Sequence, residues 1–259
     1  MKKHQKIALQ IGFLVAVLLF WEWYANYRSI MAFPTLGEIG KTLYEDIFSN
    51  STRPILKYLG KSLVLIAEGL GIGVSLAFLF SGLSVASKFF NAIYNLIVSI
   101  CDLLPAVALM PILMITLGAT DTTIIVLVVH SVVWPMSRNI IEGFKSVPQM
   151  HIESGRNIGL SKTGLVFGIY IPSAFASIIA GLRVGWARAW RGLISAEMIF
   201  GAASAAGIGT YINNARTIWL NYSSVYAALI LIIIVGVIVE YVVFSNLEKH
   251  TVRKWGMIR

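Results

Sequence analysis

Apolar residues fall along this sequence in long runs rather than in alternation. Six runs approach or exceed the roughly 20 residues that a helix needs to cross a bilayer: about 7–24, 62–83, 89–117, 122–141, 173–200 and 224–247. A lipid-facing backbone must satisfy its own hydrogen bonds, so each run predicts a helix. The ten-residue alternation of a β-barrel is missing. The second run is rich in glycine at Gly69, Gly71 and Gly73; Pro105 and Pro111 interrupt the third, and Pro135 lies inside the fourth. The first run follows Lys2, Lys3 and Lys6, as a signal peptide would, but leads into Trp21, Trp23, Tyr24 and Tyr27 rather than a small-residue cleavage site. Aromatics at that depth form an interfacial belt, so the run is read as the first span.

Polar positions cluster in two stretches with patterns of their own. In residues 25–60, Thr35 and Glu38 form a capping box ahead of Leu36, Ile39, Leu43 and Ile47. That spacing predicts an amphipathic helix, either lying at the outer interface or packed on the bundle. The second stretch, about residues 142–172, is too polar to span, yet Ile152, Ile158, Leu160, Leu165, Val166 and Ile169 recur at helical offsets. Pro148 suits a helix start, Gly159 suits the left-handed position that ends one, and Ser161 can cap a second. Pro172 is expected to break that second helix where the fifth span begins. Two short helices at a sharp angle make a protrusion for a partner's groove. The expected fold is all-α: a polytopic membrane protein forming one domain over 1–259, with six transmembrane helices and a two-helix loop between helices 4 and 5.

Composition excludes most other classes. Of 259 residues, 57% are hydrophobic and 13% charged, with mean hydropathy +0.78. Soluble domains run about 45–50% apolar and about 25% charged, so too little polar surface exists to cover a soluble fold. The net charge of +9 reads as topology. With the N-terminus inside, twelve Lys and Arg fall on the inner side, among them Lys88, Arg138, Lys145, Arg156, Lys162, Lys249, Lys254 and Arg259. Six (Arg28, Lys41, Arg53, Lys57, Lys61 and Arg216) fall outside, so the positive-inside rule places both termini in the cytoplasm. No basic cluster carries the interleaved aromatics of a nucleic-acid site, and nucleic acid is not an expected partner. A single cysteine, Cys101, and four scattered histidines give no disulfide, metal or cofactor site.

The loop also carries a resemblance. Glu153-Ser154-Gly155, then Gly159, then Ile169-Tyr170-Ile171-Pro172 resembles the loop motif of ABC-importer permeases, with Ser154 and Gly155 where alanines are usual and Ile171 for leucine. Leu104-Pro105-Ala106-Val107-Ala108-Leu109-Met110-Pro111 with Gly118, together with Gly181-Leu182-Arg183, Arg188-Ala189-Trp190, Ala196-Glu197-Met198 and Gly207-Ile208-Gly209, is similar to the nitrate/sulfonate/taurine type. The resemblance implies a multi-pass protein of the bacterial cytoplasmic membrane, acting as a homodimer with a cytoplasmic ABC ATPase dimer and an extracytoplasmic solute-binding protein. It implies ATPase coupling through Glu153, Ser154, Gly155, Gly159, Ile169, Ile171 and Pro172. The implied solute is a small anion such as a sulfonate, nitrate or bicarbonate. The chain has no Gly-x4-Gly-Lys-Ser/Thr phosphate loop, so it is not expected to be an enzyme. ATP and Mg are expected in the ATPase subunits, with no cofactor here.

Ionisable residues inside spans are costly and mark function by default. Arg183, Arg188, Arg191, Glu197 and Asp102 are the candidates for a translocation pathway. Arg188 and Arg191 share a helix face; either they line the path and attract an anion, or the arginines pair internally with Glu197, Asp102, Glu68 or Glu240. The rival class is an ion-coupled secondary transporter using Asp102 and His130. An intramembrane hydrolase would need a nucleophile–base pair, and His130 and Ser131, adjacent on a helix, face apart.

Overall fold

The computed structural model describes residues 3–28, 30–48, 53–201 and 207–253. All regular structure among them is helical: α1 (Lys3–Arg28), α2 (Leu36–Phe48), α3 (Ile55–Ala86), α4 (Lys88–Cys101), α5 (Ala106–Leu117), α6 (Asp121–Lys145), α7 (Gln149–Asn157), α8 (Lys162–Ser173), α9 (Phe175–Phe200), α10 (Ile208–Thr217) and α11 (Tyr222–Thr251). Four of these, α1, α3, α6 and α11, are long and apolar enough to cross a membrane. Counting the bent pairs α4–α5 and α8–α9 as one span each gives six.

α6 is the central helix, packed most extensively on α9 and α3. Small residues permit the approach, as expected where lipid supplies no hydrophobic drive between helices. A Cβ on Gly69 or Gly73 of α3 would lie 2.4 or 2.9 Å from Val128 or Val132 of α6, and one on Gly181 of α9 would lie 2.8 Å from Asn139. α4 joins through Tyr94, whose hydroxyl is 2.7 Å from that of Ser137; such interhelical bonds contribute about 1 kcal/mol. At the start of α6, Thr120 caps the Thr123 amide and Asp121 pairs with Lys61, a carboxylate suited to the positive end of the helix dipole.

The capping box forms: Glu38 N–H donates to Thr35 Oγ1 at 3.2 Å and Thr35 N–H to Glu38 Oε2 at 2.9 Å. α2 then buries Ile39 and packs Leu43 and Ile47 on the main core, so it is a helix seated on the bundle. α1 is held at its C-terminal end, where Trp21 Nε1 donates to the Pro34 carbonyl at 3.1 Å and stacks on Phe33 at 4.1 Å. Its apolar side chains from Ile7 to Phe20 are exposed.

Three details differ from the sequence reading. The third run breaks between Cys101 and Ala106, turning by 90°, while Pro111 sits inside α5, where the opening 3-10 turn Ala106–Leu109 gives way to the α-helical part Met110–Leu117 and a proline is tolerated. Pro172 lies inside α8 behind a wide π-type turn at Val166–Tyr170, and the 75° bend comes after it, at Ala174. Arg138, counted among loop charges, is within α6. Lys2, Lys254 and Arg259, which entered the charge count, lie outside the described residues.

Candidate functional site

Two regions carry the chemistry. The first is the polar stretch after α6. Pro148, with extended backbone, directs the chain into α7. α7 ends in a Schellman turn: Leu160 N–H donates to the Gly155 carbonyl at 3.0 Å and Gly159 N–H to that of Arg156 at 2.9 Å. Gly159 has φ +84°, the left-handed conformation that costs other L-residues about 1–2 kcal/mol. Ser161 then caps α8 by accepting the Gly164 amide at 3.1 Å.

Packing inside this pair of helices explains the motif. Gly155 is buried, and a Cβ there would lie 2.3 Å from Ile169 Cδ1 and 2.8 Å from Leu165 Cδ2. Ile171 is half-buried against the core, and the neighbouring Tyr170 ring meets Phe144 at 5.4 Å. Glu153, Ser154, Gly159 and Pro172 are exposed. The Gln149 amide donates to Glu153 Oε1 at 3.1 Å, and the Ser154 hydroxyl donates to the Met150 carbonyl at 2.8 Å. Met150, Ile158 and Phe167 are exposed by 68, 78 and 72%; the motif thus divides into a buried hinge and an outward face mixing one carboxylate with large apolar side chains. Lys162 Nζ donates to the carbonyl of Ala86 at 3.2 Å, which fastens α8 to the last turn of α3, where a cation meets the negative end of a helix.

The second region lies at the break between α4 and α5. Asp102 caps α4 there. Its Oδ2 is 3.2 Å from Arg138 Nε of α6 and its Oδ1 binds Arg188 of α9, whose guanidinium also reaches the Asp102 carbonyl at 3.3 Å. One carboxylate therefore holds three helices. Beside it opens a cavity of about 310 Å³, lined by Asp102, His130, Trp134, Arg188 and Arg191 among others. Both Asp102 oxygens are thus engaged by arginine.

The five intramembrane candidates do not form one cluster. Asp102, Arg188 and Arg191 share the cavity. Arg183 points away, 3.3 Å from Glu240, 3.0 Å from Glu248 and 5.3 Å from the Phe244 ring, clasping α9 to α11. Glu197 is fully buried elsewhere, held by the Ser62 hydroxyl and the Gly209 amide; among the described residues it makes no ion pair. Arg138, Ser62, Glu248 and Lys162 are structural partners that sequence spacing did not single out. Ser62, Glu248 and Lys162 each act across 60 or more positions, and Arg138 acts across the break between α4 and α5. Among the described residues no three His, Cys, Asp or Glu side chains are placed to hold a metal ion.

Comparison with known proteins identifies the family. Residues 69–253 match the model of the family described as binding-protein-dependent transport system inner membrane component. A nitrate import permease protein of Synechocystis is 30% identical over 204 residues, covering 79% of this chain and 68% of the relative. A taurine transport system permease protein of Escherichia coli is 24% identical over 253 residues, covering 91% and 86%. A bicarbonate transport system permease protein of Synechocystis is 29% identical over 187 residues, covering 71% and 62%.

Proposed function

This chain belongs to the family of binding-protein-dependent transport system inner membrane components, and from that premise we propose how it works as the permease subunit of an ABC importer. Its solute is a small anion of the nitrate, bicarbonate or sulfonate class, a choice supported by relatives named for nitrate, bicarbonate, taurine and aliphatic sulfonates. Two copies form the path. A cytoplasmic ATPase dimer, which holds ATP and Mg, grips α7 and α8, and an extracytoplasmic binding protein delivers the solute. Both termini then lie in the cytoplasm, on the side of the loop.

The observation that carries the coupling assignment is the outward face of α7. Glu153 stands on a helix whose end is fixed by the Gly159 turn and whose back is packed on Leu165 and Ile169. Exposed Met150, Ile158 and Phe167 beside it supply apolar anchors of the kind a partner's cleft accepts. Motion of the ATPase pair would pass through α8 into α9 without a flexible joint between.

Uptake of labelled nitrate, bicarbonate and taurine by cells expressing the full transporter tests this. Glu153→Ala and Gly159→Pro should each abolish uptake while the chain still inserts; wild-type uptake by both variants would end the assignment. Uptake that survives ATP depletion and collapses with a protonophore would support an ion-coupled carrier instead.

A further inference from the structure

The cavity beside Asp102 has more positive charge than its structure consumes. Arg138, from behind the wall, and Arg188, in it, both bind the one carboxylate present, and Arg191 brings a second guanidinium to the wall. Arg191 Nε donates to its own helix, to the Ala187 carbonyl at 2.9 Å. Its terminal nitrogens have no acceptor among the described residues. His130 also lines this space, but its two ring nitrogens are turned into the protein, where they make no hydrogen bond and the ring meets Trp134 edge-on at 5.9 Å. A neutral imidazole must present one N–H donor. Arg191 is exposed, so its unpaired guanidinium is open to whatever enters this space, while an imidazole N–H without an acceptor is costly to bury.

We propose that this cavity is an anion site within the translocation path, taking one small oxyanion on Arg191 with Arg188 beside it and His130 in the wall. The inference rests on the importer assignment and adds to it a place where the permease itself touches solute. The guanidinium fork matches two oxygens of a planar or tetrahedral oxyanion. The volume lies at the low end of the roughly 300–1,000 Å³ typical of small-molecule sites, large enough for such an ion and a few waters. A cation is disfavoured by two guanidinium groups in the wall against one carboxylate that Arg138 also neutralises. The site belongs at a break in a span, where irregular backbone is tolerated because it lines a cavity. A path also requires weak, reversible occupancy.

The test uses the permease assembled with its ATPase subunits in nanodiscs, titrated with sodium methanesulfonate or sodium bicarbonate at constant ionic strength set with sodium chloride. Trp134, in the cavity wall, reports by fluorescence. A saturable signal is expected that disappears in Trp134→Phe. Arg191→Gln should raise the half-saturating concentration tenfold or more, the usual effect of losing a charged hydrogen bond; Arg191→Lys and His130→Gln should raise it less. Unchanged elution and melting of each variant accompany the comparison. A wild-type curve for both Arg191→Gln and His130→Gln overturns the site, as does an equal signal from choline chloride. Glu153-dependent uptake without any saturable signal overturns the site while leaving the importer assignment standing. A saturable, Arg191-dependent signal beside Glu153-independent uptake does the reverse.

Discussion

The hydroxyl of Ser62 lies 2.7 and 2.9 Å from the two carboxylate oxygens of Glu197, across the contact between α3 and α9. The same hydroxyl accepts the Ile208 amide at 2.8 Å, and the Gly209 amide donates to Glu197 Oε2 at 2.8 Å. A fully buried acid is thus answered by the first turn of α10, whose free amides and dipole suit negative charge. Three helices close on one side chain. Glu197→Ala would leave the Gly209 amide unmet, at a cost of about 1–3 kcal/mol, and would leave the Ser62 hydroxyl only the Tyr58 carbonyl at 3.4 Å to donate to. The melting temperature in detergent should fall sharply for Glu197→Ala and far less for Glu197→Gln, which keeps the shape.

Glycine is required where α10 meets that carboxylate. A Cβ on Gly207 would lie 2.0 Å from Glu197 Oε1, and one on Gly209 would lie 2.4 Å from the Ile194 carbonyl. Backbone cannot rotate aside, so Gly209→Ala should cost at least the roughly 1–3 kcal/mol of an overpacked core. Gly71→Ala, whose Cβ meets nothing within 4 Å, is the control. Thermal melts of both variants decide the point.

Gly155 offers a compensated pair. Its clash partners are the ends of flexible side chains, Ile169 Cδ1 and Leu165 Cδ2. Gly155→Ala should lower transport-coupled ATP hydrolysis by displacing α8, and adding Ile169→Val should restore most of it by removing the δ-methyl. Alanine also gains up to about 1 kcal/mol of helix propensity over glycine. A double variant no better than the single would refute this account of the hinge.

Asp102 should couple energetically to Arg188. The carboxylate side chain is 8% exposed, the two arginines 41 and 42%, so solvent screening holds the effect below the 3–5 kcal/mol of a fully buried pair. A double-mutant cycle of Asp102→Asn with Arg188→Gln, read by denaturation, should return a coupling of about 1 kcal/mol.

Alkaline pH should loosen the first turn of α10. Burial pushes the Tyr211 hydroxyl well above its ordinary value, and the hydrogen bond it donates to Asp46 adds to the shift. A folded-state value above the unfolded one means stability that is complete below about pH 10 and lost as pH rises beyond it. Tyr211→Phe should cost about 1 kcal/mol at neutral pH and flatten that alkaline decline.

The apolar runs made the helices and their order legible, because a lipid-facing segment is marked by composition alone. The ends of α7 were equally readable: proline, a left-handed glycine and a serine cap act within a few residues of themselves. Partners set by packing were not. Glu197 looked like an arginine's counter-ion until Ser62 and α10 enclosed it, since the glycines that admit its carboxylate declare space without saying what fills it. Arg138 looked like a topology signal because charge near a span end reads the same whether it faces water or Asp102.

The bend of 75° between α8 and α9 makes those helices the two arms of a bell-crank. α9 rises about 1.5 Å per residue, so Glu197 stands roughly 35 Å beyond the elbow. A tilt of about 5° imposed on the short arm would sweep the far end of the long one through about 3 Å, enough to draw a carboxylate out of hydrogen-bond range of Ser62. Stiffness at the elbow, rather than strength of grip, would then set how much of a partner's stroke arrives at the opposite face.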